Sequence, residues 1–138
     1  MAKDKYHENV RQTLEKDGWK ITEDPYFLMV GKRRGYIDLG AERIIVAEKG
    51  SEKIAVEVKS FIGTSDLDSF EDALGQFLIY LVALEEKDIT RTLYLAVPEA
   101  FYERFFDDPF FLRLAQRFWV KMLVFNEEKN SIVQWINY

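Results

Sequence analysis

The sequence predicts one α/β domain over residues 1–138, with a mixed central sheet flanked by helices. Two amphipathic helical patterns, at about residues 5–16 and 65–84, alternate with strand-like segments. Residues 92–97 form an almost wholly apolar run, which is typical of a strand in the buried middle of a sheet. Because this strand follows a strand and a helix, we expect a right-handed crossover between parallel strands.

Composition indicates a globular protein and limits its partners. Apolar residues make up 48% of the chain, and the net charge of −5 argues against a protein that coats nucleic acid through its overall charge. That charge still allows a local basic edge, or a metal site whose cation attracts phosphate. The chain has no cysteine, no apolar run long enough to cross a bilayer and no apolar signal core near Met1. We therefore expect a cytoplasmic protein with neither disulfides nor a membrane partner.

The first helix is predicted from apolar residues at i, i+4 and i+8 from Tyr6, and Gly18 is placed to end it. His7, the only histidine, falls at the edge of the apolar stripe. From the sequence, His7 is expected either to pack or form a hydrogen bond within the fold, or to belong to a functional site. Glu8 projects away from the stripe, so we expect it to be solvated.

The strands are short and separated by turn residues. Asp24-Pro25 ends the first of them, and the turn at 49–52 predicts an antiparallel hairpin. Pro98 and Asp108 begin two short helices between the later strands. The predicted strands are residues 19–22, 26–30, 35–39, 43–48, 53–59, 92–97, 121–125 and 131–136.

The long second helix begins at Ser65, which has an acidic residue three positions later. Ile79 and Val82 lie away from the main apolar stripe, so the helix is apolar nearly all round. Either the short helices around 101–106 and 110–118 cover it, or a second subunit does so in a homodimer. The main stripe consists of Phe70, Leu74, Phe77 and Leu81.

The segment 54–59 alternates between apolar and polar residues, and successive side chains of a strand point to opposite faces. Its branched apolar residues share one face, so Glu57 and Lys59 lie together on the other. A carboxylate can hold a hard divalent cation, and an ammonium group can hold an oxygen nucleophile beside it. Glu-x-Lys is also common as an ion pair on solvated strands, so the pair needs a second carboxylate to indicate a site.

Asp38 is the natural second carboxylate, because strand formers flank it upstream of Glu57. Asp38, Glu57 and Lys59 together form a pattern typical of PD-(D/E)XK nucleases. In such a site Asp38 and Glu57 would bind Mg²⁺ or Mn²⁺, and Lys59 would orient or help to deprotonate a water. The absence of cysteine favours these cations over zinc. Glu42 and Glu48 are the alternatives should Asp38 point into the core.

Two further groups are expected at the edge of this site. Lys32, Arg33 and Arg34 form the densest basic cluster, in a glycine-bounded loop that would bind a DNA backbone or simply form a solvated turn. Gln76 and Tyr80 lie four positions apart and are therefore adjacent on the long helix. We expect Gln76 to contact the attacking water or a phosphate, and Tyr80 to contact DNA beside it.

Several segments taken together resemble one known family over essentially the whole chain. They are His7, 17–22, 24–25, 36–42, 55–61, 73–77 and Tyr80. As a set they are similar to XisH, the fdxN element excision controlling factors of cyanobacteria. The resemblance implies a restriction-endonuclease-like fold, with Asp38, Glu57 and Lys59 as its core residues and Gln76 on the following helix. No proline precedes Asp38, which departs from better-known nucleases.

The resemblance also implies a role in controlling the excision of a DNA element, with DNA, XisI and the XisF recombinase as partners. Two mechanisms are open within that role. The chain would either cut DNA as a metal-dependent nuclease, or act without catalysis by binding a recombinase, XisI or DNA.

Overall fold

In the computed structural model, the described residues are 5–35, 44–61 and 65–138, and these form four helices and eight strands. The helices are His7–Lys16 (α1), Asp66–Lys87 (α2), Glu99–Phe105 (α3) and Pro109–Arg117 (α4). The strands are Lys20–Glu23 (β1), Leu28–Val30 (β2), Arg33–Gly35 (β3), Ile44–Lys49 (β4), Glu52–Val58 (β5), Thr92–Pro98 (β6), Met122–Asn126 (β7) and Ser131–Ile136 (β8). The predicted strand 35–39 falls almost wholly outside the described residues.

Within the described ranges, six strands form one sheet in the order β1-β4-β5-β6-β7-β8. The pairs β5–β6 and β6–β7 are parallel, and the other three are antiparallel. Lys49 lies opposite Glu52 across a tight turn in which Gly50 has φ +60°, a left-handed conformation that favours glycine. The predicted hairpin and the predicted α/β class, a mixed central sheet flanked by helices, are both confirmed.

The two faces of the sheet carry separate apolar clusters, because alternate side chains of each strand point in opposite directions. On one face, Val56 of β5 belongs to a buried cluster with Leu14 of α1. On the other face, Ala55 of β5 belongs to a cluster with Phe77 of α2. The predicted alternation of β5 is therefore confirmed, and it assigns Glu57 to the α2 face.

The start of α2 matches its prediction. Ser65 accepts a hydrogen bond from the backbone amide of Asp68 at 3.2 Å, which satisfies one of the free amides at the helix start. The helix runs past the expected end to Lys87, because the residues after Leu84 are good helix formers. Leu74 and Leu81 lie at the edge of its buried side and are only partly buried. That side is centred instead on Phe70, Ala73, Phe77, Tyr80 and Leu84.

The basic cluster lies in a small hairpin rather than in a loop. Only Gly31 and Lys32 form its turn, while Arg33 and Arg34 belong to β3 and pair with β2. The predicted loop is wrong at these two arginines. Their backbone groups find hydrogen-bond partners in residues 28–30, and pairing of this kind satisfies polar groups that a loop would leave to water.

Part of α2 is apolar and exposed. Ile79 and Val82 are 53% and 56% exposed, and with Val30 of β2 they line one shallow groove. The aromatic residues of α3 and α4 pack around Phe70 at the other end of α2, where the Phe70 and Phe105 ring centroids are 5.0 Å apart. The short helices among the described residues therefore do not cover this strip.

We expect a second copy of the chain to cover the strip, because exposed apolar patches on soluble proteins commonly mark interfaces. Val82→Glu places a charge in the groove and should therefore shift the dimer towards monomer. Sedimentation velocity at micromolar concentration measures both species. A wild-type protein that sediments as a clean monomer would contradict this prediction.

Candidate functional site

Glu57 is the central residue of the candidate site. It lies near the end of β5, directly opposite Ile44 on one neighbouring strand and Leu95 on the other. Both neighbours belong to the cluster beneath α2, and residues directly opposite each other share a face of the sheet. Glu57 is 0% exposed, and both of its carboxylate oxygens are buried. Among the described residues it is the only buried carboxylate residue.

Lys59 lies just beyond the strand that carries Glu57. β5 ends at Val58, so the prediction that this strand reaches Lys59 is one residue too long. Lys59 is partly buried and is not without an interaction partner. Lys59 follows Glu57 by two residues, as the nuclease pattern requires. Its role as the catalytic lysine stays a prediction.

Gln76 lies on α2, the helix that packs on the same face of the sheet as Glu57. The residue is partly exposed, but its Oε1 atom is buried and has no hydrogen-bond partner within the described ranges. Most buried amide oxygens accept a hydrogen bond from the protein. Because Gln76 Oε1 accepts none from the described residues, it is available to accept one from a ligand or to contact a cation. Tyr80, one turn later, is only 6% exposed and belongs to the apolar core. It offers little surface to DNA, so we assign it a packing role.

The remaining predicted carboxylates divide into two cases. Asp38 and Glu42 lie outside the described residues, and their predicted roles stay predictions. Glu48 is described, and its strand register places it opposite Lys53. That position is four residues from the one facing Glu57, or roughly 13 Å along the strand. Glu48 instead forms an ion pair with Arg91 at 3.5 Å, so it is not the second carboxylate of a site at Glu57.

The predicted DNA-binding cations are exposed. Lys32, Arg33 and Arg34 all lie on the surface of the β2–β3 hairpin. The Arg34 guanidinium lies 5.4 Å from the centre of the Phe27 ring. Lys87, at the end of α2, donates a hydrogen bond to the Phe27 carbonyl oxygen and so ties the hairpin to that helix. The hairpin that carries these positive charges is therefore joined to the helix that carries Gln76.

A buried ionic cluster on the α1 side is a feature that the sequence did not predict. His7 is 1% exposed, and its Nε2 atom lies 2.9 Å from the Asp24 carboxylate. Arg11 donates to Oδ2 of the same carboxylate at 2.7 Å. Burial raises the pKa of Asp24, but the hydrogen bonds from His7 and Arg11 outweigh this effect and hold the pKa below its ordinary value. The one signal in the sequence was that His7 is the only histidine.

Comparison with known proteins identifies the family. A family model described as XisH protein matches residues 1–133. The chain belongs to the XisH family. Among curated proteins there is no match.

Two crystal structures of other XisH-type proteins are similar to this chain. One is an XisH family protein from Nostoc punctiforme PCC 73102, with a TM-score of 0.88 and 44% sequence identity. The other is an fdxN element excision controlling factor protein from Anabaena variabilis, with a TM-score of 0.87 and 44% identity. Each comparison covers 96% of this chain and 98% of the other. The resemblance predicted from the sequence is therefore confirmed along nearly the whole chain.

Two further observations concern membranes and metals in the described part of this XisH-family chain. Over residues 5–35, 44–61 and 65–138, no helix is long and apolar enough to cross a membrane. The same ranges contain no group of three or more histidine, cysteine or acidic side chains arranged to hold a metal ion. Asp38 and its alternative Glu42 lie outside these ranges, so the second carboxylate of a magnesium site at Glu57 stays a prediction.

Proposed function

We propose that this XisH-family chain is a DNA-element excision controlling factor that acts as a metal-dependent PD-(D/E)XK-type nuclease. The observation that carries the proposal is the burial of Glu57. A carboxylate that is 0% exposed in the middle of a sheet is costly to fold, because burial disfavours its charged form. A fully buried carboxylate is rare unless a cation or another partner compensates it, and such groups are enriched at functional sites.

The donor atoms around Glu57 suit a hard divalent cation. The Glu57 carboxylate and the buried Gln76 Oε1 are oxygen donors associated with the same face of the sheet. Mg²⁺ and Mn²⁺ prefer oxygen ligands, and Asp38 would supply the second carboxylate. When bound, the cation would polarise a phosphoryl oxygen and stabilise the leaving oxygen of the cleaved strand.

The protein groups would divide the remaining work between binding and positioning. Lys59 would orient the attacking water, and Gln76 would accept a hydrogen bond from that water. The exposed cations of the β2–β3 hairpin would neutralise backbone phosphates without reading the base sequence. These three cations are Lys32, Arg33 and Arg34.

A second mechanism has its own support. The overall charge of −5 opposes tight DNA binding, and the apolar side chains of Ile79 and Val82 on α2 are more than half exposed. These observations favour a non-catalytic protein with a nuclease fold, which would control excision by binding a recombinase, XisI or DNA. The exposed strip of α2 offers a surface for such a partner.

A cleavage assay separates the two mechanisms. We expect purified wild-type protein to cut single- or double-stranded DNA in Mg²⁺ or Mn²⁺ and to leave it intact in chelator, because the reaction needs the cation at Glu57. Thermal unfolding with and without the cation is the second measurement, since a ligand bound by the folded state raises its stability. A folded wild type that binds DNA but cuts neither substrate in any divalent cation would overturn the nuclease mechanism in favour of the binding one.

A further inference from the structure

A second cavity lies at the end of the sheet opposite Glu57 and on the other face. Its volume is about 300 Å³, and Ile54 near the start of β5 forms part of its wall. Ile54 belongs to the cluster on the α1 face, and it precedes Glu57 by three residues, or roughly 10 Å of strand. The cavity is thus separate from the candidate nuclease site and independent of the function proposed for it.

Three aromatic rings line this cavity, which we call the tryptophan pocket. They belong to Trp19, Tyr94 and Trp135. The centroids of the two indoles are 5.9 Å apart with ring planes inclined by 50°, and Tyr94 meets Trp135 at 4.8 Å and 68°. The rings are therefore inclined to one another rather than stacked. Aromatic faces attract cations, and indole does so most strongly.

Two carboxylates and one ammonium group complete the lining, so its net charge is −1. Asp17 is paired with Lys49, whose Nζ atom lies 3.6 Å from the carboxylate, and it also accepts a hydrogen bond from the Trp19 indole at 3.2 Å. Glu52 forms neither a salt bridge within 4.0 Å nor a side-chain hydrogen bond with the residues that the structure describes. Its negative charge is the one left uncompensated.

The potential of the pocket is also visible at Tyr94. Burial raises the pKa of the Tyr94 hydroxyl, and the nearby Glu52 charge raises it further. The hydrogen bond that this hydroxyl donates to Asn137 at 2.5 Å acts in the opposite direction. Of these causes only the Glu52 charge would also favour a cation here, because burial disfavours charged groups of either sign.

Lys49 shows that the pocket already accepts an ammonium group. Its side chain passes over Gly18, where an added Cβ would lie 3.4 Å from the lysine Cε. Gly18 has φ +92°, so glycine suits this position in conformation, while an added Cβ would make only ordinary contact with Lys49. Although Lys49 lies opposite Glu52 in the hairpin, its ammonium group forms its ion pair with Asp17, and among the described residues Glu52 has no ion pair within 4.0 Å. Glu52 is therefore available to a second cation.

We propose that the tryptophan pocket binds the guanidinium group of an arginine side chain presented by a partner protein. A planar guanidinium stacks on indole and pairs with a carboxylate, and both kinds of group are present here. A phosphate or nucleotide would be repelled by the net negative lining. A free amino acid is disfavoured as well, because its carboxylate would meet Asp17 and Glu52 while Lys49 is already paired.

Binding is tested with a blocked arginine, N-acetyl-arginine methylamide, against the full-length chain labelled with ¹⁵N. We expect the indole signals of Trp19 and Trp135 to shift on titration. Trp119 is 65% exposed and lies outside the pocket, so its signal is the internal control and should stay in place. The same titration with blocked citrulline, a neutral analogue of similar shape, should produce no shift.

Two variants should change the affinity in opposite directions. Glu52→Gln removes the uncompensated charge and should weaken binding about fivefold, as expected for a partly exposed charge pair. Lys49→Met removes the competing ammonium group from Asp17 and should tighten binding, which general damage to the fold would not do. Glu85→Gln, an exposed change on α2, is the matched control and should leave the affinity unchanged.

Three results would overturn the proposal. The first is that the Trp19 and Trp135 signals stay unmoved at tens of millimolar blocked arginine. The second is that citrulline shifts them equally, or that Trp119 shifts with them, because either would show unspecific binding. The third is that free arginine binds much more tightly than the blocked form, which would assign the pocket to an amino acid rather than to a partner's side chain.

Discussion

Glu57→Gln should lower metal-dependent DNA cleavage by about a hundredfold or more while leaving the protein folded. The substitution keeps the shape of the side chain and removes the negative charge that would bind the proposed cation. Glu57 is 0% exposed, so the loss of its charge removes a costly buried group. Glu57 also has an interaction within the fold, so the two effects oppose each other, and the free energy of unfolding of the variant should stay close to that of the wild type.

The measurement combines cleavage with thermal unfolding. Wild type should cut DNA and gain thermal stability in millimolar Mg²⁺, and Glu57→Gln should do neither. Lys59→Met keeps the apolar stem of the lysine and should also abolish cleavage. Glu85→Gln removes an exposed charge from α2 and should cleave like the wild type. A Glu57→Gln protein that cuts at the wild-type rate would show that Glu57 is not a metal ligand.

Local patterns predicted the part of the fold on which this prediction depends. The alternation along residues 54–58 correctly separated the two faces of β5, because a period of two is a property of every strand. The apolar run at 92–97 correctly indicated a central strand, because both of its faces are covered. The Ser65 cap correctly marked the start of α2, because capping depends on only a few neighbouring residues.

Other features depend on contacts between distant segments, which a local pattern does not contain. The sequence around Arg33 and Arg34 is typical of a loop, and only their pairing with β2 shows that they form a strand. Tyr80 looks like a site-facing residue on a helical wheel, yet α2 is rotated so that this ring enters the core. The tryptophan pocket brings together residues from both ends of the chain, Trp19 and Trp135 among them.

The cluster of His7, Arg11 and Asp24 is the clearest case of such a contact, and it carries the second large effect that we expect. Asp24 follows β1, while both of its partners lie on α1. Its carboxylate accepts hydrogen bonds from the two side chains and is 9% exposed. The cluster therefore joins the first helix to the segment after the first strand through one partly buried anion.

Asp24→Asn should lower the free energy of unfolding by about 2 kcal/mol, as hydrogen bonds to charged groups typically contribute. The asparagine keeps the size of the side chain but no longer compensates the Arg11 charge. The matched control is Asp66→Asn, which breaks an exposed pair with Arg104 at 2.7 Å. Surface pairs contribute little, so this control should cost less than about 1 kcal/mol. Urea unfolding at neutral pH measures both changes.

The pH dependence of the free energy of unfolding tests the same Asp24 carboxylate more specifically. The folded-state pKa of Asp24 lies below its ordinary value of about 3.9, so the unfolded chain takes up this proton more readily than the folded one. The stabilisation by the Asp24 carboxylate is therefore complete above about pH 4 and is lost as the pH falls through the folded pKa. Below about pH 4 the free energy of unfolding of the wild type should fall as Asp24 takes up a proton. The free energy of unfolding of Asp24→Asn should fall less over the same range, because the variant has no carboxylate there. If the unfolding free energies of wild type and Asp24→Asn keep the same separation from neutral pH down to acid unfolding, the ionised Asp24 carboxylate does not hold α1 to the sheet.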